Sequence, residues 1–273
     1  MSLSKQNIRN FQRFIFDWWE RNKRDLPWRY THDPYRILVS EVMLQQTQVS
    51  RVLPKYDEFL HAFPNIHVLA HASPGEVLRL WKGMGYNRRA LFLKKAAEIV
   101  VKKHEEVFPQ DEKTLRTLPG IGSYTARAIM VFAYKKDVSM IDTNIRQIIT
   151  RYFFDGKPQS EKIIQQTVDQ LVPKGKSWEW HQALMDYGAL EMKKSALKVH
   201  TGKKQGSFKD SNRLYRGRII DLLREKKMKE SELTNYMAET YKKEKEFVIF
   251  LLGKLEHDGL IMRSKTGIIS LPV

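Results

Sequence analysis

The chain has 273 residues and no cysteine; 42% of residues are hydrophobic, 29% are charged, and 48 Lys and Arg stand against 31 Asp and Glu, a formal net charge of +17. This is a globular mix, long enough for one large or two modest domains. It excludes disulfides, a Cys nucleophile, thiolate metal sites and any Cys-ligated iron–sulfur cluster, and no apolar run approaches the ~18 residues of a membrane span.

The charge points to a polyanion, with nucleic acid the first candidate and a generic basic surface the alternative. The excess is +11 over residues 1–201 and +6 over residues 202–273, so a basic tail on a neutral body does not explain it. The opening MSLSKQNIRNFQRF has no apolar h-region; a cytoplasmic, nucleoid-associated chain without a signal peptide is expected. Apolar residues three and four apart then predict helices over 7–20, 35–47, 74–81, 89–101, 123–133, 145–154, 161–171 and 179–192. Pro27, Pro34, Pro54, Pro64, Pro74, Pro109, Pro119, Pro158 and Pro173 read as punctuation near the joins. The expected body is mostly α over 1–192.

Residues 193–209, KKSALKVHTGKKQGSFK, read as a basic linker. Beyond it, helical patterns at 213–226, 231–240 and 244–257 precede an alternating segment, Leu260–Leu271, with a turn at Lys265-Thr266-Gly267. Three helices and a β-ribbon resemble a winged-helix module (α+β, 210–273). Lys242, Lys243 and Lys245 at the start of its third helix suggest DNA contact, protein docking being the other use of such modules.

Three segments could carry chemistry. Leu118-Pro119-Gly120-Ile121-Gly122-Ser123 leads straight into a helix, so turn and helix N–H groups could meet a phosphate; a plain turn between helices is the other reading. Asp142, before an apolar-periodic run, reads as an N-cap. Glu41 lies in an apolar helical pattern; it reads either as a carboxyl whose pKa is raised by burial, suited to donate a proton, or as the partner of a nearby Arg. His61, His67 and His71 cluster without a convincing fourth ligand, and no side-chain metal site is assigned.

Together these segments resemble the helix-hairpin-helix DNA glycosylases of the HhH-GPD superfamily, in particular the MutY-type adenine glycosylases. The matching stretches are Leu26-Pro27-Trp28-Arg29, Asp33-Pro34-Tyr35, Ser40–Val49 (SEVMLQQTQV), Gly83-Met84-Gly85-Tyr86, Leu118–Ala126, Asp142-Thr143-Asn144 and Gln182–Ala189. They run in the family's order over about residues 8–192. The resemblance implies a two-subdomain helical fold with a cleft between a six-helix subdomain (about 25–134) and a second one (the N-terminal helix with 135–192).

It also implies excision of adenine opposite 8-oxoguanine or guanine by hydrolysis of the N-glycosidic bond in base excision repair. Glu41 would protonate N7 of the base, Asp142 would stabilise the oxocarbenium-like sugar, and Asn144 would help hold the site. Tyr124 matches a position where lyase-competent relatives carry Lys, so no Schiff base and no lyase step are expected. Flipping the base requires a wedge. Gln46 and Tyr86 match it, with Thr47 and Met84 as neighbouring contacts. Arg24, Trp28, Leu44, Val49 and Gln182 match base-pocket positions; for Trp28 and Leu44, core packing is an equal reading. Gly120, Gly122 and Ser123 would grip the backbone, with a Na⁺ or K⁺ on the carbonyls of Leu118 and Ile121. Arg88 and Arg89 could add phosphate contacts, a solvated helix start being an equal reading. The expected partner is double-stranded DNA carrying a mismatch or oxidised base, bound by a monomer without membrane association.

The chain departs from the family twice. It has no Cys for the four-iron cluster usual after the last core helix, so no cofactor is expected. Its C-terminal end resembles a winged helix, not the hydrolase-like domain that senses 8-oxoguanine. A thymine or uracil glycosylase acting opposite guanine, which shares the Tyr, is one alternative, although a pyrimidine has no N7 for Glu41 to protonate. A non-catalytic lesion-binding protein is the other.

Overall fold

A computed structural model of the chain describes residues 3–192 and 208–273. It is mostly helical, and the described residues form two compact units: residues 3–41, 108–117 and 121–192, and residues 42–107, 118–120 and 208–273. The boundary falls inside one helix, between Glu41 and Val42. Residues 25–41 and 121–134, expected in a separate six-helix subdomain, group with the N-terminal helix in the first unit. Most of the expected linker, 193–207, lies outside the described residues.

The first unit contains α1 (Lys5–Asn22), most of α2 (Pro34–Leu44), α7 (Glu112–Leu115), α8 (Ser123–Phe132), α9 (Thr143–Phe154), α10 (Glu161–Leu171) and α11 (Ser177–Leu190). The apolar stripes of α1, α9, α10 and α11 close on one core around Ile15, Ile148, Ile149, Val168, Trp180 and Leu184, all fully buried. Hydroxyl and carboxyl caps start these helices: Ser4 for α1, Asp142 for α9 and Ser160 for α10. The reading of Asp142 as an N-cap is therefore correct.

The second unit contains α3 (Val49–Ala62), α4 (Ile66–His71), α5 (Pro74–Leu80) and α6 (Arg88–Lys103), packed around Phe59, Leu69, Leu78 and Trp81. Helices α3 and α4 were not expected. Pro54 lies inside α3, where it removes one backbone hydrogen bond without ending the helix, because Val52, Tyr56 and Phe59 keep a buried stripe around it.

The same unit holds the C-terminal module: α12 (Asn212–Glu225), β1 (Met228–Lys229), α13 (Glu230–Tyr241), α14 (Lys245–His257), β2 (Met262–Arg263) and β3 (Ile268–Ser270). The antiparallel sheet has the order β1-β3-β2, with Met228 opposite Ile269 and Met262 opposite Ser270. The winged-helix expectation holds. The sequence did not announce β1, which is only two residues long and is fixed by its pairing with β3. The β2–β3 turn closes with Gly267 N–H donating to the Ser264 carbonyl, Gly267 taking positive φ. No described helix is long and apolar enough to cross a membrane.

Candidate active site and DNA interface

The first unit gathers Glu41, Tyr124 and Asp142. Each arrives by a local rule: Glu41 sits near the end of apolar α2, Tyr124 in the first turn of α8, and Asp142 at the N-cap of α9. Glu41 is only 4% exposed. Burial pushes its carboxyl up to about 7; the Tyr124 hydroxyl, donating to it, opposes that shift, and the charge of Asp142 adds to it. Burial and the two nearby carboxylates raise the Tyr124 phenol well above its ordinary value, so it stays a donor.

Burial also raises the Asp142 carboxyl, but donors surround it. The Ile145 N–H donates at 2.6 Å and the Asn144 amide at 3.2 Å, at a helix start where the dipole favours negative charge. The pair therefore differs in surroundings: burial favours the protonated form of Glu41, whereas donors favour the charged form of Asp142, the division of roles that heterolysis of a glycosidic bond requires.

Two supports of Asp142 were not singled out from the sequence. His181 is fully buried, and burial lowers it to about 4. Neutral, it donates from Nδ1 to the Ser177 carbonyl at 2.7 Å and accepts the Met140 N–H at Nε2 (3.2 Å), pinning the loop before Asp142. Gly188 of α11 lies against Asn144: a Cβ there would stand 2.5 Å from the Asn144 Cβ. A lone His on an apolar helix reads as packing, and the sequence offers no stronger signal.

Arg24 is less available for a base pocket than expected. Its Nε donates to buried Asp186 at 2.5 Å and its amide does so at 3.0 Å. Arg29 and the Trp19 indole also donate to that carboxylate. Burial alone would raise Asp186, but these partners lower it. The cluster ties the Leu26–Arg29 turn, with buried Trp28, to α11, which also carries buried Gln182.

In the hairpin, Gly120 takes positive φ and a Cβ there would stand 2.9 Å from the Phe92 Cβ, so only glycine fits. Gly122 caps α8 with ordinary extended φ, and the Ser123 hydroxyl donates to Glu112 at 2.8 Å. Leu118 and Ile121, the expected cation ligands, fall one in each unit. Among the described residues no group of three or more His, Asp or Glu is arranged to hold a metal ion.

The expected wedge residues belong to the second unit. Gln46 and Tyr86 are both exposed and both left-handed, with φ of 55° and 46°, a costly conformation for such side chains. Arg89 holds both turns. Its Nη1 donates to the carbonyls of Val42 (2.8 Å), Met43 (3.1 Å) and Gln45; its Nη2 donates to the Thr47 hydroxyl (3.0 Å) and the carbonyls of Met84 (3.1 Å) and Gly85 (3.3 Å). Two expectations are corrected here. Arg89 is 9% exposed and serves backbone carbonyls, not phosphates, and Met84 is 2% exposed and packs inside the unit instead of offering a contact. Carbonyls at the ends of two turns needed a buried fork of donors, and Arg89 supplies it. Arg88 stays exposed, over the Phe92 ring and 3.6 Å from Asp258. Leu44, Thr47 and Val49 are partly exposed.

The HhH-GPD superfamily of base excision DNA repair proteins matches residues 39–174. An adenine DNA glycosylase of Mycobacterium tuberculosis is 33% identical over 94% of this chain and 92% of its own length. One from Mycolicibacterium smegmatis is 41% identical, covering 64% of this chain and 61% of the relative. The solved structure of a thermostable thymine-DNA glycosylase superposes with a TM-score of 0.64 at 32% identity, covering 68% of this chain and 87% of that one. With its buried acid, capped carboxylate and hairpin in the family's order, the chain belongs to the HhH-GPD superfamily of base excision DNA repair proteins, among the MutY-type adenine glycosylases.

Proposed function

We propose that the chain is a monofunctional glycosylase that removes adenine paired with 8-oxoguanine or guanine in double-stranded DNA. The observation that carries this reading is Glu41, a buried carboxyl holding its proton up to about pH 7 beside Asp142, whose charged form accepts the Ile145 N–H and the Asn144 amide. Glu41 gives its proton to N7 of the extruded adenine. The C1′–N9 bond breaks with its electron pair leaving on the base, and Asp142 faces the cationic sugar until water adds and loses a proton. Tyr124 keeps Glu41 oriented and, lacking an amine, forms no Schiff base, so the product is an unbroken abasic strand. Gln46 and Tyr86, preset on two strained turns, fill the space the base vacates.

Removal of thymine or uracil opposite guanine is the second reading, favoured by the likeness to the thymine-DNA glycosylase; Glu41 weighs against it. Single-turnover assays on a panel of mismatched duplexes, with alkali to cleave abasic sites, decide between them. Adenine release is expected, and thymine or uracil release instead would overturn the assignment. Glu41→Gln should lower the rate by about 10²–10⁴-fold while duplex affinity changes little; an unimpaired rate would remove Glu41 from the scheme.

A further inference from the structure

The C-terminal module makes one wall of a cleft of about 1280 Å³ within the second unit, and the turn bearing Tyr86, with Gln46, lies on the cleft's other side. The lining includes seven arginines and a single acid, Asp221. Three of the arginines, Arg213, Arg216 and Arg218, come from the first half of α12. Arg213 donates to the Tyr86 hydroxyl at 2.9 Å and lies over the rings of Tyr86 (5.5 Å) and Phe208 (5.0 Å). Arg216 pairs with Asp258 at 2.5 Å, and Arg218 is exposed.

The helix is fixed in place. Arg224 donates to the Leu78 carbonyl at 2.8 Å and the Asn87 side chain at 3.0 Å, and Lys82 pairs with Glu225. Asp258 pairs with Arg216 and faces Arg88, and Asp221 pairs with Arg224, so two acids stand against seven arginines; arginine forks in such excess at a cleft suit phosphodiester oxygens.

The third helix of the module offers much less. Lys242 is the left-handed cap that ends α13, and Lys243 is 3.8 Å from Asp210 and lies over the Tyr215 ring. Lys245 stands between Glu244 and Glu246. The outward face of α14 carries Ile249 (48% exposed) and Phe250 (50% exposed), so its charge is nearly balanced and its surface partly apolar.

We propose that the C-terminal module grips the DNA backbone with its first helix, Arg213, Arg216 and Arg218 binding phosphates beside the Tyr86 turn, and not with its third. This rests on the reading of the chain as a DNA glycosylase and extends it to how the module takes part. It also explains why the module is built into the same unit as the wedge turns: phosphates held there fix the duplex at the step where the base is extruded.

The test is duplex affinity of the full chain as a function of salt, with adenine opposite 8-oxoguanine as the probe. For every phosphate the protein no longer neutralises, the slope of log K against log salt should fall by about 0.9. Arg213→Ala with Arg218→Ala should therefore reduce the slope by about two units and weaken binding at least about tenfold at low salt. Lys242→Ala with Lys245→Ala should leave the slope unchanged.

Because Arg213 also packs on two rings, Gly217→Glu provides a second variant. Gly217 lines the cleft, its φ is not positive, and nothing lies within 4 Å of a Cβ built there. The helix should accept the side chain with an undiminished melting temperature while the new carboxylate weakens binding. Parental slope and affinity in both the arginine and the Gly217 variants, or a reduced slope in the lysine pair, would overturn the proposal. If the parent chain binds with these slopes but releases no adenine, the excision reading fails and the assignment of the first helix stands.

Discussion

At the residue scale, the chemistry depends on one proton that burial keeps on Glu41. Its pKa stands at about 7 in the folded chain against 4.5 ordinarily. Between those values the folded state binds a proton that the unfolded state has lost, so stability falls as pH rises from about 4.5 to 7. That shift corresponds to about 3 kcal/mol, an upper figure for a single buried group. Glu41→Gln removes the titration. The variant should melt at a higher temperature than the parent at pH 8, by an amount corresponding to about 1–3 kcal/mol, and the difference should shrink towards pH 4. A parent and variant that melt with identical pH dependence would contradict a protonated, buried Glu41. Catalysis should follow the same proton, with the single-turnover rate falling above about pH 7. Asp142 differs because its helix supplies what Glu41 lacks: N–H donors and a favourable dipole. Its two readings, cap and functional carboxylate, are one fact, since the cap donors are what favour the charged form of this buried carboxyl against desolvation.

At the element scale, the turns that present Gln46 and Tyr86 are held by Arg89 of α6. Lysine cannot replace that fork, having one nitrogen where Arg89 uses two. Arg89→Lys should cost roughly 2–4 kcal/mol in denaturant unfolding, because several buried carbonyls lose a donor at once. The salt slope of duplex binding should stay near that of the parent. A reduced slope with unchanged stability would return Arg89 to the phosphate-binding role that its sequence position suggests. His181 does the corresponding work in the first unit. It anchors the loop before Asp142 as a neutral ring, and burial keeps it neutral down to about pH 4.

At the scale of the whole molecule, the second unit joins the wedge turns to the C-terminal module through glycine as well as arginine. A Cβ at Gly75 of α5 would stand 2.6 Å from the Pro272 carbonyl oxygen, so α5 and the chain end after β3 meet without room for a methyl group. Gly75→Ala should destabilise this contact by about 1–3 kcal/mol, seen as faster amide exchange in β3 and the last residues while α9 and α11 keep their protection. Uniform protection across the variant would show that the module is not seated through this contact.

Much of this was legible in the sequence because it is local. Apolar periodicity marked α1, α9 and α10; Asp142 announced itself as a cap; and a chain without cysteine excludes a cysteine-held cluster from composition alone. Pro54 misled because a proline ends a helix only when no buried stripe carries the helix through it. Neither Glu41 nor Asp142 has a decisive neighbourhood in the sequence, where one reads as an apolar-helix acid and the other as a cap. Tertiary packing decided what they are: desolvation and the approach of Asp142, distant along the chain, hold the proton on Glu41 against the opposing hydrogen bond from Tyr124. The same holds for Arg89, where residue type and position suggest a surface cation and only the convergence of two strained turns makes it an interior donor. Local patterns depend on steric and hydrogen-bonding rules a few residues long, whereas a pKa or the partner of a buried cation depends on everything that surrounds the group in space.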